Sequence, residues 1–373
     1  MKRERLVETF KTMVQIDSQS GEEGAMHEFL TDKFKQLGLT VKEDDSMLST
    51  GLGANNLVAT LAGTNTAKEP IFFSAHTDTV SPGNGIKVVE RDGVLYSDGT
   101  TILGADDKAG IAIMLEAIET IIEEELPTGK VEFVLSPGEE IGLVGSSAMS
   151  MDLIESRVGY VLDNAGPVGS AIIASPTLYM YDVTITGKAA HAGLEPEKGV
   201  SAMAVLAQAL PHIQTGRIDA ETTANIGVIS GGQATNVVMD EAVLKGEVRS
   251  ISKDKADALI KEMTQAFETA AKDNGAEVAI NVDLKATGYR MTDDLTVMKL
   301  FRRSVEALAI APRTEVSGGG SDANVFNAKG KEVVNLSIGY EEIHTTSEYI
   351  PVSEMEKGVA LVLRLIEHSP TKK

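Results

Sequence analysis

Three short runs rich in apolar residues, at 71–75, 131–135 and 160–162, constrain this chain more than any other feature. Each is too short for an ordinary helix and reads as a buried strand. Each also ends in side chains that a hydrophobic core cannot hold unaided. The first runs into His76-Thr77-Asp78, the second into Ser136-Pro137-Gly138-Glu139-Glu140, and the third into Asp163-Asn164. Acids gathered at the ends of neighbouring strands repel one another unless a cation lies between them. The carboxyl edge of an open α/β sheet is also where ligands bind. Two further groups share the pattern: Gly104-Ala105-Asp106-Asp107-Lys108 at a helix start, and His344 in the loop after a strand at 333–338.

The surrounding chain supports a layered architecture. Amphipathic helices read at 6–16, 22–37 and 110–124, with another at 145–154, and they alternate with strands at 57–61 and the three runs above. Such alternation predicts an α/β domain whose mixed, largely parallel sheet is sandwiched by helices. After Pro176 the rhythm changes to strand 178–186, helix 200–213, strands 224–229 and 242–251, helix 253–274 and strand 278–284. That β-α-β-β-α-β order is the ferredoxin-like α+β motif. Helices and a strand resume near residue 295. The expected organisation is a discontinuous domain, 1–176 and 288–373, with a second domain, 177–287, inserted in it.

Composition narrows the chemistry. The chain has no cysteine, which excludes disulfides, thiolate metal sites and cysteine nucleophiles. Any metal must be held by Asp, Glu and the six histidines. With 34 basic and 55 acidic residues the net charge is −21, which argues against nucleic acid and against an anionic membrane surface. Residues 1–6 carry no apolar segment of the kind a signal peptide needs. Gly, Pro, Ser and Asn break the uncharged stretches, so none reads as a membrane span. A cytoplasmic protein is expected.

Singly, each acidic group has an ordinary explanation. His-x-Asp is often a satisfied polar pair, 139–140 a solvated turn, and Asp106-Asp107 an N-cap, with one of the two capping. Five such groups converging on strand and loop ends favour a metal centre. Two histidines with several carboxylates suit zinc, or manganese or cobalt according to availability. A bound metal can acidify water and polarise a carbonyl. A neighbouring unligated carboxylate can then move the proton, which gives the pair Glu139-Glu140 a use. The loop Ser317–Ser321 lacks the Gly-Lys-Ser/Thr ending of a phosphate loop, so nucleotide binding is not expected.

As a set, His76-Thr77-Asp78, Gly104-Ala105-Asp106-Asp107-Lys108, Pro137-Gly138-Glu139-Glu140, Asp163 and His344 resemble the cocatalytic dizinc exopeptidase and deacylase family. That family includes carboxypeptidase G, acetylornithine deacetylase, succinyl-diaminopimelate desuccinylase and peptidase T. Residues 98–110 resemble its peptidase T branch of tripeptide aminopeptidases, and the resemblance spans nearly the whole chain.

The resemblance implies two zinc ions bridged by Asp106. His76 and Asp163 would complete one site, and Glu140 and His344 the other. Glu139 would be the general base and Asp78 the residue that orients His76. His191 would stabilise an oxyanion, from the same subunit or a partner. Asn236, Arg249 and the glycine loop holding Gly319 and Gly320 would meet the substrate, Arg249 through a peptide carboxylate. The Asp106–Asp107 peptide bond would be cis. The implied activity removes the N-terminal residue of short peptides. A dipeptidase or N-acyl-amino-acid deacylase on the same core, or a non-catalytic acidic metal-binding protein, are the alternatives. His27, His212 and His368 read as structural. A homodimer through 177–287 is also expected. Helices on one face of that module would leave its other face and an edge strand needing cover, and a self-complementary contact supplies both.

Overall fold

The structure, a computed structural model, describes residues 1–372. It comprises two compact units. The first contains Met1–Ile173, Met291–Val316 and the chain from Ser321 onward; the second contains Ala174–Arg290 and Ser317–Gly320.

The first unit is the expected α/β layer structure. Its central strands lie in the order Val131–Ser136, Ile71–His76, Val158–Asn164 and Glu332–Ser337, all parallel. Leu57–Leu61 and Thr40–Glu43 extend one side as antiparallel neighbours. These strands are apolar along most of their length because helices cover the sheet. Ala105–Glu123 is almost entirely buried, and Arg3–Val14 and Val352–Glu367 pack against it with one face each. Phe73 stacks between Phe133 and Tyr160 of the adjacent strands, at 6.2 and 6.0 Å between ring centroids. Register is pinned one residue earlier, where Phe72 pairs with Gly159. A Cβ on Gly159 would lie 2.2 Å from the Phe72 ring, so the large side chain needs the missing one. The helix expected at 145–154 is shorter, Val144–Ala148 followed by a single 3-10 turn, Met151–Leu153, because Met149 turns to extended backbone.

The second unit is a five-stranded antiparallel sheet in the order Gly216–Arg217, Thr222–Gly231, Glu241–Ser250, Thr177–Thr186, Glu277–Ala286. Helices Ala202–Ala209 and Lys253–Asn274 bury Val205, Leu206, Leu259, Met263 and Phe267 against Val183, Ile185, Leu244 and Val248. The helix expected to reach residue 213 ends at Ala209 and passes into the 3-10 turn Leu210–His212, where Pro211 supplies no N–H. The open face of the sheet presents Asp182, Thr184, Lys245, Glu247 and Arg249. Leu178, Met180 and Val243 share it, and Met180 is 40% exposed. Apolar exposure also occurs at Val228 and Ile229 of Thr222–Gly231, beyond the Thr223 and Ala224 positions that Gly216–Arg217 pairs with. Among the described residues no helix is long and apolar enough to cross a membrane.

Candidate metal centre and active site

The parallel register carries the acids to one place. His76 ends its strand level with Ser136, and the turn after Ser136 brings Glu139 and Glu140 round. That turn depends on Gly138, whose φ of 66° is in the left-handed region. Asp106 arrives from a second such turn at Gly104, φ 72°. The Asp106–Asp107 peptide bond is cis, as the resemblance implied.

Asp106 is the hub. Its Oδ1 lies 3.0 Å from His76 Nε2 and its Oδ2 3.3 Å from His344 Nε2. His76 Nε2 is also 3.7 Å from Asp163 Oδ1, and His344 Nε2 is 3.0 Å from Glu140 Oε1. Each oxygen of one carboxylate thus faces a separate imidazole–acid pair. All five residues assigned as ligands from the sequence come together in the first unit. His344 reaches its place from an exposed loop and a left-handed backbone, φ 61°.

Asp78 meets more than His76. Its backbone carbonyl lies 3.0 Å from His76 Nδ1 and its Oδ1 3.4 Å away. The same carboxylate accepts the N–H groups of Glu139 (3.0 Å) and Glu140 (3.2 Å) and the Ser20 hydroxyl (2.6 Å). It therefore ties the histidine strand to the glutamate turn.

The electrostatics fit a cation-binding site. Burial and Asp106 push the Asp163 carboxyl well above the usual range, against a downward pull from His76 and Tyr340. Burial raises Glu140 and, with Asp163, Asp322 and Glu140, raises Glu139 strongly. Burial opposes ionisation of Asp106, but its bonds with His344 and His76 hold it low. Burial also depresses His76, yet Asp106 and Asp78 outweigh it, and His344 is raised to about 10 by Asp106 and Glu140. Asp107 is wholly buried, accepts the His76 N–H at 3.2 Å through Oδ2, and has no partner on Oδ1. The donor set is two imidazoles and three carboxylates, crowded by further acids. Positive charge between them relieves that repulsion, and His76, Asp106 and Glu140 offer ligand atoms close enough for one ion.

Several partners were not assigned from the sequence. Tyr340 donates to Asp163 Oδ1 at 2.8 Å, and Asn335 holds the Asp163 backbone through both its amide atoms. Buried Asp322 accepts from Ser136 Oγ and from Ser146 Oγ. Lys108, also buried, donates to the Ile16 carbonyl at 2.8 Å, and burial lowers its pKa to about 7. The expectation that Asp106 or Asp107 caps its helix is corrected: both have non-helical backbone, the Asp106 oxygens face the two imidazoles, and Asp107 Oδ2 meets the His76 N–H while its Oδ1 has no partner. Glu348 grips the backbone that leads into the helix. It accepts from Leu103 and Gly104 at 2.8 Å each and from Asp106 at 3.0 Å.

The remaining candidates lie in the second unit. His191 and Asn236 are on adjoining segments, with the Ala192 N–H donating to the Asn236 carbonyl at 2.9 Å and the Gly193 N–H to His191 Nδ1 at 3.1 Å. Arg249 is bidentate with Glu247, at 2.9 Å for each bond, and donates to the Gly318 carbonyl at 2.8 Å. The Gly319 carbonyl accepts from Ser175 Oγ. The glycine loop, placed by sequence in the discontinuous domain, thus packs with the second unit. His27, His212 and His368 stand apart from both groups. His27 meets Thr77, and His368 Nδ1 lies 3.1 Å from Ser304 Oγ.

Known proteins share the sequence pattern and the fold. The model of peptidase family M20/M25/M40 matches residues 72–368. Protein YqjE of Bacillus subtilis (strain 168) is 44% identical over 365 residues, 98% of each chain. The crystal structure of aminopeptidase PepT from Bacillus cereus ATCC 10987 superimposes with a TM-score of 0.94 at 46% identity. A tripeptidase from Staphylococcus aureus subsp. aureus mu50 does so with 0.93 at 40%, and each comparison covers 98% of both chains. The chain belongs to peptidase family M20/M25/M40 and is a metal-dependent peptide hydrolase.

Proposed function

We propose that this chain is a zinc exopeptidase that removes the N-terminal residue of short peptides, tripeptides foremost. The observation that carries the reading is the Asp106 carboxylate, each oxygen of which faces its own imidazole–acid pair. In this reading His76 and Asp163 hold one zinc ion, Glu140 and His344 a second, and Asp106 both. So placed, the pair would supply Lewis acidity to the scissile carbonyl and acidify a water. Glu139 takes the proton of the attacking water and delivers it to the leaving amine. Its raised proton affinity suits both halves of that transfer. Asp78 holds His76 and the Glu139 backbone in register.

His191 serves as a donor to the developing oxyanion, and Asn236, Arg249, Gly319 and Gly320 meet the peptide. Arg249 spends three N–H groups on Glu247 and Gly318, which leaves two of its five for a carboxylate. The names of the Bacillus cereus and Staphylococcus aureus proteins support an aminopeptidase acting on tripeptides. The subunits pair through the second unit, along the Val228–Ile229 edge.

Metal analysis with a substrate panel tests the proposal. Two zinc equivalents per chain are expected, with tripeptides hydrolysed faster than dipeptides, tetrapeptides or N-acyl amino acids, and no turnover of N-acetylated tripeptide. Preference for N-acyl amino acids would establish the deacylase instead. Metal without hydrolysis of any of these would establish the non-catalytic reading.

A further inference from the structure

We infer that Glu348 is a positioning residue for Asp106: its carboxylate, gripping three backbone N–H groups of the Leu103–Asp106 loop, sets where the shared ligand lies. This rests on the two-metal reading above.

Glu348 closes a loop that is otherwise exposed. Residues 342–347 all face solvent, whereas Glu348 is 1% exposed. The loop is pinched at its base by paired backbone bonds between Glu341 and Tyr349, at 2.9 and 3.2 Å. His344 sits on the loop and meets Asp106 and Glu140. One nine-residue segment therefore carries an imidazole to the centre and, four residues later, a carboxylate to the backbone of its hub.

The grip is specific. Oε2 takes the N–H groups of Leu103 and Gly104, and Oε1 takes that of Asp106 itself. Both carboxylate oxygens are thus engaged by backbone donors of one short segment. The acid acts through Asp106 and touches neither metal nor substrate. Partners of this kind orient a metal ligand as its coordination alone does not.

Glu348→Gln tests this, because the amide keeps the shape but turns one acceptor into a donor facing an N–H. The control is Glu132→Gln. Glu132 is another buried carboxylate with three donors, the N–H groups of Glu155 (2.9 Å) and Ser156 (2.8 Å) and the Ser156 hydroxyl. It lies at the far end of its strand from Glu139. Zinc affinity is measured by competition with a chromophoric chelator, together with the melting temperature of the chelator-treated proteins and kcat and KM on a tripeptide.

Both variants are expected to melt earlier. Only Glu348→Gln should weaken zinc binding, by roughly 10- to 100-fold, and lower kcat by a similar factor with KM little changed. Unchanged zinc affinity and kcat in Glu348→Gln would overturn the inference. So would an equal loss of zinc affinity in Glu132→Gln, which would indicate general loosening. If Glu348→Gln does not fold, Glu348→Asp, which withdraws the carboxylate by one methylene, is held to the same outcomes. Zinc stoichiometry of the wild type separates the two levels: fewer than two ions refutes the two-metal reading itself.

Discussion

Thr77, between His76 and Asp78, rests on a histidine that should make the fold acid-sensitive. His27 is buried in helix Gly24–Gln36, with Nε2 2.8 Å from Thr77 Oγ1. The Thr77 hydroxyl donates to the Ser136 carbonyl at 3.3 Å, so its oxygen accepts from His27, and that network assigns the proton to Nε2. Nδ1 has no partner. Protonating it would bury an N–H with no acceptor. Burial accordingly lowers the imidazole to about 4 from 6.5, against a partial pull upward from Asp78. The sign follows from proton uptake: between these values the unfolded chain binds the proton and the fold does not. Stability is complete above pH 6.5 and falls as pH descends toward 4. The loss is about 2 kcal/mol by pH 5 and about 3 kcal/mol below pH 4. The assay compares denaturant midpoints of wild type and His27→Gln, both with chelator, from pH 5 to 8. The Gln amide keeps a donor for Thr77 without titrating. The wild type should lose about 2 kcal/mol relative to the variant across that range. Parallel curves, or an NMR titration of the folded ring near its ordinary value, would refute the reasoning.

Other outcomes follow from the site. Glu139→Gln should retain both metals and its melting temperature while kcat falls roughly 100- to 10,000-fold, as measured by metal analysis and tripeptide turnover. Asp78→Asn replaces an acceptor that serves two backbone N–H groups and a hydroxyl. It should lower kcat at least tenfold and the melting temperature by several degrees, with scanning calorimetry reading the second effect. Mixing His191→Ala with Glu139→Gln subunits should restore activity if His191 serves the neighbouring chain. Sedimentation at assay concentration should show a dimer that a charged residue at Ile229 dissociates.

What could be read from the sequence follows from how locally each signal is written. The strand-end acids were legible because each stands directly after an apolar run, and parallel pairing makes such ends neighbours. The β-α-β-β-α-β order was legible for the same reason, since each element carries its own period. The reversed part was the helix start. Asp106-Asp107 looks like a cap, but neither side chain caps, and the carboxylate that holds the incoming backbone is Glu348, 242 residues away from Asp106. Tyr340 and Asp322 escaped notice likewise, meeting Asp163 and Ser136 from 177 and 186 residues along the chain. Periodicity carries no information about such pairings. Glu247 was within reach: two residues from Arg249 on one strand, it shares the same face, and that spacing foretells the ion pair.

The pairing of Phe72 with Gly159 has a bearing on where inherited damage to this protein would be found. The site's spacing is set by hydrogen-bond ladders between strands about 4.8 Å apart, and a slip of one residue would turn His76 to the opposite face of the sheet. What prevents the slip is a ring seated over a missing side chain, four residues before His76 and four before Asp163. A methyl group at Gly159 would thus act on the catalytic spacing from the floor of the sheet. A saturation screen for lost activity should return such core positions beside the ligands, and their defect should appear as failure to load metal.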